Sequence, residues 1–219
     1  MTEGVLDFYF DIVSPYAFLA YQIIRDHEAN MNLKINFHPV SMAAVFRLTK
    51  NVGPGLIPLK FQYLRKSLIR LSEYWDVEHV VMPNWFEEKA PTMSSIMALR
   101  VITYIKEHYP EELDRTVRAF WSRMFHDHKP NFLPADVDEL LEELGFDHEI
   151  RTLAESEENR SKLRDTVTRE VKEGGFGVPY MVLRRQDQDV QNYFGVESIP
   201  LLFKELGIVK SEPIVHAKL

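Results

Sequence analysis

An α/β domain with elements in the order β-α-β…β-β-α, interrupted by an all-helical insertion, is the fold this sequence predicts. Three observations carry that expectation. Residues 5–12 and 33–40 have strand character and flank a helical stripe. A strand, turn, strand and helix follow the glycine-rich segment Gly174-Gly175-Phe176-Gly177. Almost everything between repeats its apolar residues with helical spacing. The chain thus divides into a discontinuous α/β domain, residues 1–42 and 175–219, and a helical insertion, residues 43–174.

Taken in order, Val5 to Ile12 is rich in aliphatic and aromatic residues and predicts a buried strand. Ser14-Pro15 is a helix start, with serine at the N-cap and proline at the first helical position. Ala17, Ala20, Tyr21 and Ile24 then share one face of a helix that runs to about Asn30. Leu33, Ile35 and Phe37 alternate with Lys34, Asn36 and His38, which predicts the second strand and completes a βαβ start. In the insertion, Leu64, Leu68, Leu71 and Trp75 line up on one helix, and so do Ala98, Val101, Ile102 and Ile105. The same holds for Val117, Phe120, Trp121 and Met124, and for Val137, Leu140, Leu141 and Leu144. Pro83, Pro91, Pro110, Pro130, Pro134 and Gly145 separate these stretches. A charged helix spans 157–173. Pro179 to Leu183 predicts a strand, Gln186–Asp189 a turn, Val190–Phe194 its partner strand, and 197–206 a last helix closed by Gly207.

Composition narrows the chemistry. The 219 residues are 45% hydrophobic and 27% charged, as expected of a soluble globular protein with a substantial core. A net charge of −7 argues against nucleic acid as a partner, because phosphate binding needs clustered positive charge. No apolar run approaches the ~20 residues of a membrane helix, and no signal-peptide pattern opens the chain, so an intracellular protein without a membrane span is expected. The absence of cysteine removes disulfides, thiolate metal sites and any thiol chemistry of the protein's own. His126-Asp127-His128 reads as the end of a helix, since residues two apart do not share a helix face, and no metal is expected.

The β-α-β…β-β-α order is the thioredoxin-like topology. There the active position is the N-terminus of the first helix, usually a CxxC motif, facing a cis proline that opens the opposite strand. Here these places read Ser14-Pro15-Tyr16-Ala17 and Val178-Pro179. A helix N-terminus carries free N–H groups and about +0.5 of a charge, which favours a nearby anion. With serine instead of cysteine, the thiolate would belong to a bound substrate, and the Ser14 hydroxyl could donate a hydrogen bond to it.

On these residues the chain resembles the kappa class of glutathione transferases, which are related to 2-hydroxychromene-2-carboxylate isomerases. The resemblance covers nearly the whole sequence. It rests on Phe8-Tyr9-Phe10-Asp11 before Ser14-Pro15-Tyr16, on Asn51 with Pro54-Gly55-Leu56-Ile57-Pro58, on Gly175-Phe176-Gly177-Val178-Pro179, and on Phe194-Gly195. It implies that Ser14 is catalytic and contacts the sulfur of glutathione, the co-substrate. It further assigns Pro15, Tyr16, Asn51, Lys60, Val178 and Pro179 to glutathione binding, with the Val178 backbone pairing with the tripeptide as a short added strand. Val196 and Glu197 fall where the family grips the γ-glutamyl end. The family's Ser-Asp-Arg is replaced there by Val196-Glu197-Ser198, and a weaker or differently posed glutathione is expected. The Val196 N–H, at a helix start, remains able to bind a carboxylate.

The activity implied is conjugation of glutathione to hydrophobic electrophiles, a detoxification chemistry that extends to peroxides, by a homodimer. Residues 54–75 are expected to form the apolar wall for the second substrate. A glutathione-dependent isomerase would use the same residues, and a non-catalytic scaffold or chaperone is a third reading, favoured by Val196-Glu197-Ser198. The terminal Ala217-Lys218-Leu219 resembles the peroxisomal import address, read by an import receptor, with mitochondrion or cytosol as alternatives.

Overall fold

The computed structural model describes residues 4–89 and 93–208. Its centre is a four-stranded sheet in the order β2-β1-β3-β4. Strand β1 (Gly4–Phe10) pairs in parallel with β2 (Leu33–Pro39) and antiparallel with β3 (Tyr180–Arg185), which pairs antiparallel with β4 (Gln191–Phe194). Helix α1 (Pro15–Met31) makes the crossover from β1 to β2. The parallel strands need such a connection, whereas β3 and β4 are joined by a turn at Gln186–Gln188 in which Asp187 has φ 57°.

Among the described residues, eight α-helices lie between β2 and β3: α2 (Met42–Thr49), α3 (Pro58–Trp75), α4 (Phe86–Lys89), α5 (Ile96–His108), α6 (Leu113–Phe125), α7 (Pro134–Glu143), α8 (Glu149–Leu153) and α9 (Glu157–Lys172). Helix α10 (Ile199–Glu205) follows the sheet. The helical stripes, the hairpin and the interrupted α/β order all follow the sequence pattern. The last helix differs. It starts at Ile199, because Val196–Ser198 form a separate 3-10 turn after Gly195, whose φ of 77° breaks the chain direction.

Strand alternation sends β1 side chains to two different environments. Leu6, Phe8 and Phe10 enter the main core together with α1, α3, α5, α6 and α10. Tyr9 joins Val182 of β3, Val45 of α2 and Val167 of α9 in a smaller cluster on the opposite face. Trp121 anchors the first core, its ring 5.0–5.3 Å from those of Phe10, Phe18 and Tyr21. This main cluster runs without a break from the sheet through the inserted helices, so insertion and α/β elements share one interior.

Candidate functional site

Strand β1 ends at Phe10, and the chain turns once before α1. Ser14 N donates to Asp11 O at 3.0 Å, which closes that turn. Ser14 then caps α1 in extended geometry, φ −90° and ψ 110°, with Oγ accepting from Ala17 N at 3.1 Å and Pro15 as the first helical residue. The side chain is buried, 4% exposed. Its role as a cap uses an oxygen lone pair only. Among the described residues no hydrogen bond uses the hydroxyl hydrogen, so capping and thiolate stabilisation are compatible in one residue.

Asp11 organises the surroundings. Its Oδ1 accepts from Val13 N at 3.2 Å, and its Oδ2 from Met42 N at 2.8 Å and Ser95 Oγ at 3.1 Å. One carboxyl thus ties together the starts of α1, α2 and α5. Burial pushes it up to about 6, against the lowering effect of these hydrogen bonds. Beside it, Glu170 of α9 is fully buried, and neither carboxyl oxygen has a hydrogen-bond partner among the described residues. Burial first, and then the negative charges of Asp11 and Glu173, raise Glu170 to about 8. Gly175 lies directly on it. A Cβ there would stand 2.5 Å from Glu170 Cγ and 2.9 Å from Glu170 O, so only glycine allows this approach.

The segment resting on Glu170 carries the second half of the site. The Val178-Pro179 peptide is cis, and Pro179 O accepts from Gly195 N at 3.0 Å. Pairing of β3 with β1 begins only at Tyr180, which leaves the Val178 backbone outside the ladder. Asn51, just past α2, donates from Nδ2 to Phe176 O at 2.7 Å and accepts from Val52 N through Oδ1 at 2.8 Å. The inserted helices are thereby fastened to the cis-proline loop. Phe46 of α2 wedges between two glycines, since a Cβ on Gly53 would meet its ring at 2.7 Å and one on Gly177 at 3.2 Å.

Tyr16, half-buried in the first turn of α1, shares a hydrogen bond with Ser67 of α3 and lies within electrostatic reach of Glu197 and Tyr63. Burial is the main cause of its raised pKa. Glu197 folds its carboxylate back over Gly195, with Oε2 only 2.7 Å from where a Cβ on that glycine would stand. Val196 is entirely buried and belongs to the main core. Val196 opens a 3-10 turn, and its side chain packs inward. Lys60 is exposed in the first turn of α3.

The structure brings Ser14, Pro15 and Tyr16 to one helix start, joins Asn51 to the Val178-Pro179 loop, and ties that loop to Gly195. Exposed apolar side chains on the same segments include Leu56, Leu59 and Tyr63 from residues 54–75, with Phe176 and Phe194, whose rings are 4.3 Å apart. His126 caps the end of α6. Sequence reasoning gives Asp11 no role of its own and passes over Glu170. A signal for the latter exists, because Leu163, Val167 and Glu170 repeat at i, i+4, i+7 and point one face of α9 inward.

A parallel βαβ followed by an antiparallel hairpin, with a helix start and a cis proline at one end of the sheet, defines a thioredoxin-like protein with a helical insertion. The chain belongs to the DSBA-like thioredoxin domain family, whose model matches residues 5–207. Among curated proteins, glutathione S-transferase kappa 2 of Caenorhabditis elegans is 28% identical over 200 residues, covering 90% of this chain and 88% of the relative. Glutathione S-transferase kappa 1 of Rattus norvegicus is 26% identical over 208 residues, covering 93% and 91%. Among solved structures, a 2-hydroxychromene-2-carboxylate isomerase superposes with a TM-score of 0.74 at 20% identity, covering 93% of this chain and 94% of the isomerase.

Proposed function

We propose that the protein is a glutathione transferase of the kappa kind, with Ser14 as the residue that stabilises the glutathione thiolate. The observation that supports this most is the buried Ser14 hydroxyl, which has an uncommitted hydrogen at the N-terminus of a 17-residue helix. Helix charge and hydroxyl act on the same atom. The sulfur anion gains from both, so the thiol releases its proton to solvent below its ordinary pKa. The thiolate forms a bond to an electrophilic carbon as a leaving group departs with its electron pair, or as an activated double bond opens and then takes a proton from solvent. Val178 offers backbone N–H and C=O groups for the cysteinyl portion of the tripeptide. Pro15, Pro179, Tyr16, Asn51 and Lys60 border it, and Glu197 with the Val196 backbone faces the γ-glutamyl end. The apolar side chains Leu56, Leu59, Tyr63, Phe176 and Phe194 suit a hydrophobic second substrate.

The thiolate ultraviolet band, followed across pH with saturating glutathione, tests this reading. A bound thiol that ionises well below free glutathione, and less so in Ser14→Ala, is the expected result. No saturable binding would sink it and leave the scaffold reading. Conjugation consumes glutathione and reversible addition regenerates it, so a count of glutathione after turnover separates a transferase from an isomerase. The exposed apolar residues Leu48 and Val52 suit a homodimer contact, to be checked by light scattering. Ala217-Lys218-Leu219 lies outside the described residues. A peroxisomal address there predicts that a fluorescent fusion loses its location when Leu219 is removed.

A further inference from the structure

The face of the sheet that carries Tyr9 holds a second chemical constellation, between α5 and α9. His38 of β2 is buried and presents Nε2 to Asp7 Oδ1 at 2.8 Å. On its other side, Lys106 Nζ and Arg169 Nη2 both approach the same Nδ1, each at 2.9 Å. Cationic donors on Nδ1 require a lone pair there, which leaves Nε2–H to donate to Asp7. Burial first, and then the two cations against the opposing Asp7, lower the His38 pKa in the same sense. A neutral imidazole nitrogen has one lone pair and accepts one hydrogen bond. Two cationic donors compete for it, and one is left over.

The neighbouring carboxylates do not absorb this surplus. Asp7 already accepts from His38, Asn36 and Arg184, and Glu173 accepts from Tyr9 and Arg184. Glu107 and Glu158 are paired with Lys162. Among the described residues neither Lys106 nor Arg169 forms an ion pair with a carboxylate. Burial, and secondarily Arg169, pull Lys106 down to about 8, against the weaker opposing pull of Asp7 and Glu107. Both side chains line an open cavity of about 370 Å³, with Pro39 at the end of β2 and Thr103 of α5 among its walls. None of its lining residues is among those assigned to glutathione.

We propose that this cavity is a binding site for a small molecule with an oxyanion head group, a carboxylate or a phosphate, held between Lys106 and Arg169. Arg169 turns its planar fork from His38 to the anion, and Lys106 keeps the imidazole nitrogen and adds its charge. Glu107 and Asp165 also line the cavity, beside Lys162, and limit how much negative charge the ligand can carry. The site is separate from Ser14 and does not depend on the glutathione reading.

The test is a titration of the full chain with inorganic phosphate and, separately, with acetate, at ionic strength held constant with chloride. The His38 imidazole nitrogen resonances provide the readout. A saturable shift with either anion is expected, weakened at least about ten-fold in Arg169→Gln and in Lys106→Met, as for loss of a charge-assisted hydrogen bond. Lys204→Gln on α10 should leave it unchanged. Tighter phosphate points to a phosphate ester as the natural head group, and tighter acetate to a carboxylate. Arg169 is exposed, so Arg169→Gln decides the matter if Lys106→Met fails to fold. A shift that never saturates, or saturable binding that Arg169→Gln leaves intact, overturns the proposal.

Discussion

The two faces of the sheet are built from opposite materials. On one, Leu6, Phe8 and Phe10 of β1 meet α1 and α6 through aromatic rings, and Trp121 stands at the centre. On the other, β1 contributes Asp7 and Tyr9, and the helices above bring Lys106, Arg169, Glu170 and Glu173. Both faces are buried, yet apolar packing dominates the first and ionisable groups crowd the second. Labour is divided between them. One face supplies stability that does not vary with pH, and the other concentrates ionisable groups under and beside the functional loops, at a cost in stability.

The largest effect should come from the apolar face. Trp121→Ala removes the ring that Phe10, Phe18 and Tyr21 pack against, and about 3–5 kcal/mol of stability should go with it. Urea unfolding should show that loss nearly unchanged between pH 5 and pH 8.5. A strongly pH-dependent loss would mean that the two faces are not independent.

The second prediction concerns Glu170. Its carboxyl is raised from 4.5 to about 8 by burial and by the charges of Asp11 and Glu173, so the folded state holds more protons than the unfolded state between those values. Stability contributed by the protonated form is complete below about 4.5 and is lost as pH rises through about 8. The full loss is on the order of 5 kcal/mol. Asp11, raised from 3.8 to about 6, adds a decline of the same sign at lower pH. Glu170→Gln keeps the shape without the charge. It should match the wild type at pH 5 and exceed it at pH 8.5 in urea unfolding. A wild-type stability that is flat across this window would remove the contrast between the faces.

Ser14→Ala comes next and acts on the site. Loss of a hydrogen bond to a charged sulfur is worth about 1.5–3 kcal/mol, so the bound glutathione thiol should ionise about 1–2 pH units higher. Loss of the N-cap should cost about 1 kcal/mol of stability as well. Ser14→Thr, which keeps both hydroxyl functions, should recover most of each. A thiol pKa that Ser14→Ala does not move would assign thiolate stabilisation to the helix end alone.

Much of this architecture is legible in residue patterns because apolar periodicity and turn residues act locally. Ser14-Pro15 signals α1, Leu64 to Trp75 signals α3, and Gly174 to Gly177 marks the return to the sheet. The last helix starts later than its residue pattern indicates, because Val196 is drawn into the core against α1 and α10, contacts that sequence neighbours do not encode. The Asp7–His38–Lys106–Arg169 constellation is hidden for the same reason. Its members come from β1, β2, α5 and α9, and each looks alone like an ordinary polar position in its own element. Glu170 shows its inward direction by spacing, but what lies opposite it, Asp11 and Gly175, emerges only in three dimensions.

The smallest expected effect belongs to Asn51, where binding and activation come apart. Its side chain touches the loop backbone, with Nδ2 on Phe176 O and Oδ1 on Val52 N, and these bonds do not reach Ser14. Asn51→Ala should therefore loosen the cis-proline loop by the worth of one partly exposed hydrogen bond, about 0.5–1.5 kcal/mol. Glutathione affinity should fall about 2- to 10-fold. The pKa of the thiol that does bind should stay where the wild type holds it, since the helix end and the Ser14 hydroxyl are untouched. A calorimetric titration paired with the ultraviolet pH profile reads both quantities on one sample. A raised thiol pKa in Asn51→Ala would mean that the loop, and with it the charged face beneath it, takes part in activating the sulfur.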